Sequence, residues 1–122
     1  MLNLSHKKLE LYKISLLLVK EVYSLTKIFP KEERYGLVSQ LRRASISVCS
    51  NLAEGSARFS SKEKKRFYEI ARASLVEIDT QVEISILLEY LSVEQIIVLE
   101  KYEESVFKIL SRFINNLGSS NH

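Results

Sequence analysis

The chain has 122 residues, 46% of them hydrophobic and 27% charged, and a formal net charge of +3. This length and balance are typical of one globular domain over residues 1–122 and exclude a disordered polymer. The most apolar run covers only residues 14–19, far short of the roughly 20 residues that cross a bilayer. With no signal-peptide pattern at the N-terminus, we expect a soluble, cytoplasmic protein with no membrane contact.

Turn-forming residues are scarce. Glycine occurs only at Gly36, Gly55 and Gly118, and proline only at Pro30. A β-sandwich of this length needs many turns, whereas a few long helices need three connections. Short connections also force neighbouring helices to run antiparallel. The sequence therefore predicts an all-α, antiparallel up-and-down four-helix bundle.

The first two predicted helices meet at Pro30. Helix one is predicted over residues 5–28, because its apolar residues recur at steps of three and four. Pro30, followed by Glu32 and Glu33, suits the first turn of helix two, which we expect to begin there and to end at Gly55. Small residues in the second half of helix two allow a neighbouring helix to approach closely: Ser45, Ser47, Ser50 and Ala53.

Two capping boxes predict the starts of the last two helices. Ser60 with Glu63 opens helix three, and Ser92 with Gln95 opens helix four, which we expect to end at Gly118. The inward face predicted for helix three consists of Phe67, Ala71, Ser74, Ile78, Val82, Ser85 and Leu88. Helix one carries two apolar stripes and helix four carries extra apolar residues off its main face. This breadth favours contact with another subunit, the alternative being a wide core.

Charge is unevenly distributed along the chain. Residues 31–72 hold ten Lys or Arg against five Glu, whereas residues 73–104 hold eight acids against Lys101 alone. The densest basic group brackets the turn between helices two and three, around Phe59: Arg58, Lys62, Lys64, Lys65 and Arg66. Such a group can neutralise several phosphates of a nucleic acid. Two other interpretations remain, a solvated turn and a surface that docks on the acidic part of a neighbouring subunit.

No catalytic or metal-binding arrangement is visible. The only histidines, His6 and His122, lie at the ends of the chain, and Cys49 is the only cysteine. Glu77, Glu83 and Glu103 fall on helices three and four, but a di-iron bundle also needs Glu-x-x-His on two helices. No phosphate-binding glycine loop occurs. We therefore expect no enzyme activity, no cofactor and no metal.

Two polar residues interrupt the apolar pattern of helix two. Asn51 and Glu54 lie among Val48, Leu52 and Ala53. If they face inward, they need polar partners, because unpaired burial costs several kcal/mol. Ser74 and Glu77 on helix three are the candidates.

Several separated motifs resemble a known family. Residues 40–55 read QLRRASISVCSNLAEG, residues 29–37 read FPKEERYGL and residues 73–77 read ASLVE. In their order along the chain, these motifs resemble the four-helix bundle proteins encoded in intervening sequences of bacterial 23S rRNA genes. The resemblance covers about residues 6–92, and helix four matches only in its apolar pattern. Cys49 stands where the family typically has proline, so a kink in helix two is expected to be absent. Ala73 stands where the family has glycine, which implies slightly looser packing against a neighbouring helix.

This resemblance implies a ring, commonly a homopentamer, without known enzymatic activity. A relative, the accessory protein of diversity-generating retroelements, is similar in fold and binds nucleic acid and a reverse transcriptase. By analogy, the five basic residues of the turn would bind structured RNA or DNA, and a ring would repeat them on one rim. Arg42 and Arg43 match the family's basic pair and suit either nucleic acid or a subunit interface. The alternative function is a protein-interaction scaffold that binds another protein and no nucleic acid.

Overall fold

The computed structural model describes residues 1–120, except the side chains of residues 8, 119 and 120, so His122 lies outside the described residues. This part of the chain forms four α-helices: α1 (Glu10–Thr26), α2 (Leu37–Ser56), α3 (Ser61–Leu87) and α4 (Ile97–Ser120). Helix α1 packs against α2 and α4, and α3 packs against the same two helices. The predicted all-α four-helix bundle is confirmed. No helix among these residues is both long enough and apolar enough to cross a membrane.

The core lies along the axis of the bundle, and every helix contributes to it. The largest side chains with almost no exposure are Leu18 of α1, Leu41 of α2, Ile78 of α3, and Leu99 and Leu110 of α4. Burying a side chain of this size stabilises the fold by about 1.5–3 kcal/mol. Of the two stripes predicted on α1, the one containing Leu11, Leu18 and Val22 is buried, while Leu9 and Leu16 of the other remain exposed.

The N-terminal parts of α1 and α2 differ from the prediction. Residues Ser5–Lys8 form a separate 3₁₀ turn, because Leu9 adopts an extended conformation and interrupts the helix before Glu10. Pro30 is also extended, with ψ of 152°, and α2 begins only at Leu37 after a 3₁₀ turn at Lys31–Glu33. The prediction that α2 begins at Pro30 was wrong. Glu33, placed in a first helical turn by the sequence, instead accepts a hydrogen bond from the backbone N–H of Leu37 at 3.2 Å.

One of the two predicted capping boxes is complete, and the other forms one of its two hydrogen bonds. The Ser60 hydroxyl accepts from the N–H of Glu63 at 3.1 Å and opens α3. The N–H of Ser92 donates to the Gln95 side chain at 2.8 Å, and the N–H of Gln95 donates to the Ser92 hydroxyl at 3.3 Å. This reciprocal pair precedes a 3₁₀ turn at Glu94–Ile96 that leads into α4. The predicted end at Gly118 was wrong, since α4 continues to Ser120.

Helix α3 is rotated slightly from the predicted orientation. Its buried residues are Tyr68, Ala71, Leu75, Ile78, Gln81, Val82 and Ser85. Phe67 is only half-buried and Leu88 is exposed, so both ends of the predicted inward face are displaced. Near the N-terminal end of α3, Tyr68 is buried in place of Phe67, because Gly55 of α2 leaves room for the tyrosine ring. Ala73 is exposed, so the methyl group that it carries in place of the family's glycine does not loosen the packing of α3 against α2 or α4.

The two polar residues of α2 have different environments. Asn51 is half-buried, and its Nδ2 donates to the Ser47 carbonyl at 2.9 Å and to the Ser47 hydroxyl at 3.0 Å. The Ser47 and Ser74 hydroxyl oxygens lie 2.9 Å apart, so Asn51 reaches α3 through Ser47. The expectation that Glu54 faces inward was wrong. Its carboxylate is exposed and pairs with Arg58 at 3.1 Å, where it stays solvated.

The contact between Gly55 and Tyr68 generates a stability prediction. A Cβ on Gly55 would lie 2.7 Å from Tyr68 Cε1, and Tyr68 is held in the core beside Phe113. We expect Gly55→Ala to lower the free energy of unfolding by about 1–3 kcal/mol, because the ring has to move. Chemical denaturation followed by circular dichroism measures this change.

Gly118→Ala is the matched control. Among the described residues its new Cβ would meet only Lys65 Nζ, at an ordinary 3.6 Å, so the better helix propensity of alanine should leave stability unchanged or raise it by up to about 1 kcal/mol. Equal effects of the two substitutions would contradict the tight contact at Gly55.

Candidate functional site

The turn between α2 and α3 collects five basic residues at one end of the bundle. Helix α2 ends at Ser56 and α3 begins at Ser61, so Arg58, Lys62, Lys64, Lys65 and Arg66 all fall in the turn or the first turns of α3. We call these five residues the basic turn. Phe59, in its middle, is fully exposed, with a relative accessibility of 103%. Sequence reasoning predicted this grouping, and the structure brings the five residues together.

Two of these five side chains are held by contacts within the chain. Arg58 donates to Glu54 at 3.1 Å, and its guanidinium carbon lies 4.8 Å from the centre of the Phe67 ring. Lys64 Nζ donates to the Ser56 carbonyl at 3.1 Å, which satisfies a carbonyl at the C-terminal end of α2. Their first role is therefore to shape the turn.

The other three cations have no ion-pair partner among residues 1–120. Lys62 and Arg66 are exposed, and Lys65 is half-buried near the end of α4. Arg66 also lies 5.7 Å from the centre of the Phe67 ring. The three unpaired cations can contact phosphates, and the exposed ring of Phe59 can stack on a base.

The predicted pair Arg42 and Arg43 is not part of the basic turn. Arg42 lies between α1 and α2, where its Nε donates to the Thr26 hydroxyl at 2.9 Å and its guanidinium lies 4.4 Å from the centre of the Tyr23 ring. Arg43 is exposed on another face of α2. The helix rise from Arg43 to the end of α2 at Ser56 is about 20 Å. The seven predicted basic residues therefore do not form one site: five lie at the turn, and Arg42 and Arg43 lie apart from them on two different faces of α2.

Sequence reasoning missed a second basic concavity at the opposite end of the bundle. A cavity of about 600 Å³ lies where α1 leads into α2, and its cations are Lys27, Lys31, Arg34 and Arg42. Tyr35 on its rim is 89% exposed. The sequence did not reveal this cavity because helix two was predicted to begin at Pro30. In the structure Pro30 is extended, and the chain between Pro30 and Leu37 forms a connection with one 3₁₀ turn. The pair Tyr35-Gly36 directly after Arg34, with Lys31 close by, was the available signal in the sequence.

Sequence reasoning also missed a groove between α3 and α4, a cavity of about 330 Å³ lined by Leu75, Val76, Asp79, Glu103, Glu104 and Phe107. Glu103 is 8% exposed, and its Oε1 has no hydrogen-bond partner within the described residues. Burial raises the pKa of the Glu103 carboxyl to about 8, and hydrogen bonding to Asp79 adds to the increase. Residues 1–120 contain no group of three or more His, Cys, Asp or Glu side chains placed to hold a metal ion.

Burial of Glu103 generates a pH prediction for the monomeric chain. Its pKa is higher in the folded chain, about 8, than the ordinary 4.5, so the folded state binds more protons between these values. The free energy of unfolding should therefore decrease with rising pH there, by at most about 1.4 kcal/mol per pH unit. Glu103→Gln should remove this decrease, and its free energy of unfolding should equal that of the wild type at pH below 4.5. Melting temperatures of protein shown to be monomeric by light scattering test this, and parallel pH profiles for both chains would contradict it.

Comparison with known proteins gives one family. Residues 7–112 match the family described as 23S rRNA-intervening sequence protein, which extends the resemblance from the first three helices into α4. No curated protein matches the chain. The helix-two motif of this resemblance carries Ser47 and Asn51, and the helix-three motif carries Ser74, the residues that join α2 to α3. Most of the chain is covered, and the protein belongs to the 23S rRNA-intervening sequence protein family.

Proposed function

We propose that this protein is a cytoplasmic, non-enzymatic homo-oligomer, a pentameric ring, that binds structured RNA or DNA through the phosphate groups. The observation that carries the proposal is the basic turn, where Lys62, Lys65 and Arg66 remain unpaired among the described residues around exposed Phe59. Phosphate contacts from such side chains position a nucleic acid without reading its sequence.

Assembly would strengthen this weak site. One basic turn offers three unpaired cations, which is few for stable binding at physiological salt. In a closed ring every copy presents the same end of its bundle to the same side, so the cations form a continuous rim. Contacts made by several subunits then act together through a high effective concentration.

The cations of the basic turn have two different roles: some bind nucleic acid, and others hold the turn in its conformation. Lys62, Lys65 and Arg66 are the direct contacts. Arg58 and Lys64 add positive charge, but their contacts with Glu54 and Ser56 hold the turn in shape. Arg42 and Arg43, about 20 Å further along α2, are not part of this rim.

A specific observation favours the alternative function, a scaffold that binds another protein. Three large apolar residues of α4 are 44–50% exposed: Ile97, Val98 and Phe107. A partner helix with an apolar face would cover them. If Phe107→Ser abolishes capture of a protein partner while substitutions in the basic turn change nothing, the scaffold is the better description.

The nucleic-acid proposal is tested by reversing the three unpaired charges together. Lys62→Glu, Lys65→Glu and Arg66→Glu in one chain should weaken binding of a labelled RNA hairpin at least about tenfold, measured by fluorescence anisotropy. The dependence of log affinity on log salt should also become shallower, by roughly one unit for each phosphate that the variant no longer neutralises. Circular dichroism confirms that the variant is folded.

A charge-matched control distinguishes binding at the basic turn from non-specific attraction by the net charge of the chain. Lys20, Lys101 and Lys108 are exposed on α1 and α4, away from the turn, and their triple change to Glu gives the same net charge. This control should bind the hairpin nearly as well as the wild type. Equal losses in both triple variants, or full binding by the first, would refute the basic turn as the interface.

A further inference from the structure

The α3–α4 groove contains a buried carboxyl without a cation. Glu103 is 8% exposed, Oε1 has no hydrogen-bond partner among the described residues, and the side chain lines the cavity. The charged groups that act on it are Asp79 of α3 and Glu100 and Glu104 of α4, and all three are acidic. An unpaired buried carboxylate costs several kcal/mol, whereas a guanidinium with good geometry offsets much of that cost.

The chain carries a suitable guanidinium on a different face. Arg43 is exposed and has no ion pair among residues 1–120. It lines a shallow polar depression between α2 and α3, together with Gln40, Ser47, Ser74 and Glu77. This depression and the α3–α4 groove lie on two adjacent sides of the bundle, with α3 between them.

Arg43 lies at the same height along the bundle as the acidic groove. Gln81 Nε2 donates to Gln40 Oε1 at 3.1 Å, which places residues 40 and 81 opposite each other on α2 and α3. Because the two helices are antiparallel, residue 43 is level with residues 78 and 79. Asp79 and Glu103 line one cavity, so Arg43, Asp79 and Glu103 occupy one layer.

A cyclic assembly would bring this layer together between copies. Rotation about a ring axis preserves height along that axis, so a residue of one copy meets residues of equal height on the next when the bundles stand parallel to it. Equal heights leave no rise from one copy to the next, and adjacent faces of a four-helix bundle diverge, so such contacts can close into a ring and do not extend as a filament. Val76 and Phe107, 52% and 45% exposed, border the groove and would supply apolar contact around the ion pair.

We propose that the α3–α4 groove is half of a subunit interface and receives Arg43 of a second copy of this chain, whose guanidinium binds the carboxylates of Glu103 and Asp79. This inference rests on the proposed homo-oligomer and identifies its contact. The opposite charges of residues 31–72 and 73–104 then meet across the interface. The conservative change Arg43→Lys keeps the charge but removes the two-pronged geometry of the guanidinium.

A charge swap tests the pair. Arg43 and Asp79 are both exposed in the single chain, so Arg43→Glu and Asp79→Arg should not disturb folding, which circular dichroism checks. Each single substitution places like charges in contact and should raise the dissociation constant of the assembly at least about tenfold. The double variant restores opposite charges and should recover the subunit number of the wild type, measured by light scattering after size exclusion. Arg112→Glu and Glu69→Arg, at exposed sites outside this layer, are the matched controls.

The outcomes separate this inference from the proposed assembly. A monomeric wild type would overturn the homo-oligomer and the interface together. An oligomeric wild type whose size is insensitive to both single substitutions would overturn the interface alone. Loss of assembly in both single variants without recovery in the double variant would contradict the pairing of Arg43 with Asp79 and Glu103.

Discussion

The close packing of α2 on α3 is the constraint on which the other features depend. Three contacts join these helices at successive heights: Gly55 with Tyr68, Ser47 with Ser74 at 2.9 Å, and Gln40 with Gln81 at 3.1 Å. Only a helix with small residues can approach its neighbour this closely, and hydroxyl and amide pairs fix the axial register more strictly than apolar contact does. This register places the basic turn at one end of the bundle and Arg43 level with Asp79.

The cations of this protein differ in whether polar groups of their own chain engage them. Arg42, Arg58 and Lys64 contact groups of their own chain, so their charges are partly used within the fold. Lys62, Lys65, Arg66 and Arg43 have no ion pair among residues 1–120. The first three lie at one end of the bundle, and Arg43 lies on its side. Under the two proposals, one positive segment of the sequence would contact nucleic acid at the first position and a neighbouring copy at the second.

Much of the fold could be predicted from the sequence because the signals are local. Ser60 with Glu63 and Ser92 with Gln95 start helices by hydrogen bonds within four residues, and the first pair forms one of its two expected bonds and the second pair both. The start of α2 could not be predicted in this way. Glu33 caps α2 at Leu37, but it is fixed there partly by the hydroxyl of Tyr90, which donates to it at 3.0 Å from a distant part of the chain.

The same distinction between local and long-range contacts decides how much of the candidate site could be predicted. The basic turn is contiguous in sequence, so its grouping follows from one connection. The burial of Glu103 depends on how α3 and α4 face each other, and the height of Arg43 depends on the Gln40–Gln81 pair, which joins residues 41 apart in the sequence. Cys49 is a similar case. Its position in a continuous α2 was expected from the missing proline, whereas its burial, which raises the pKa of its thiol to about 11, depends on packing.

The most direct test of the central claim, that a ring of bundles binds nucleic acid through one basic rim, is light scattering after size exclusion. The chain is run with and without a short structured RNA, at low and at moderate salt. We expect a particle of about five subunits that gains the mass of bound RNA at low salt and loses it as salt increases, without dissociating. A monomer whose mass is unaffected by RNA at either salt concentration would contradict the claim.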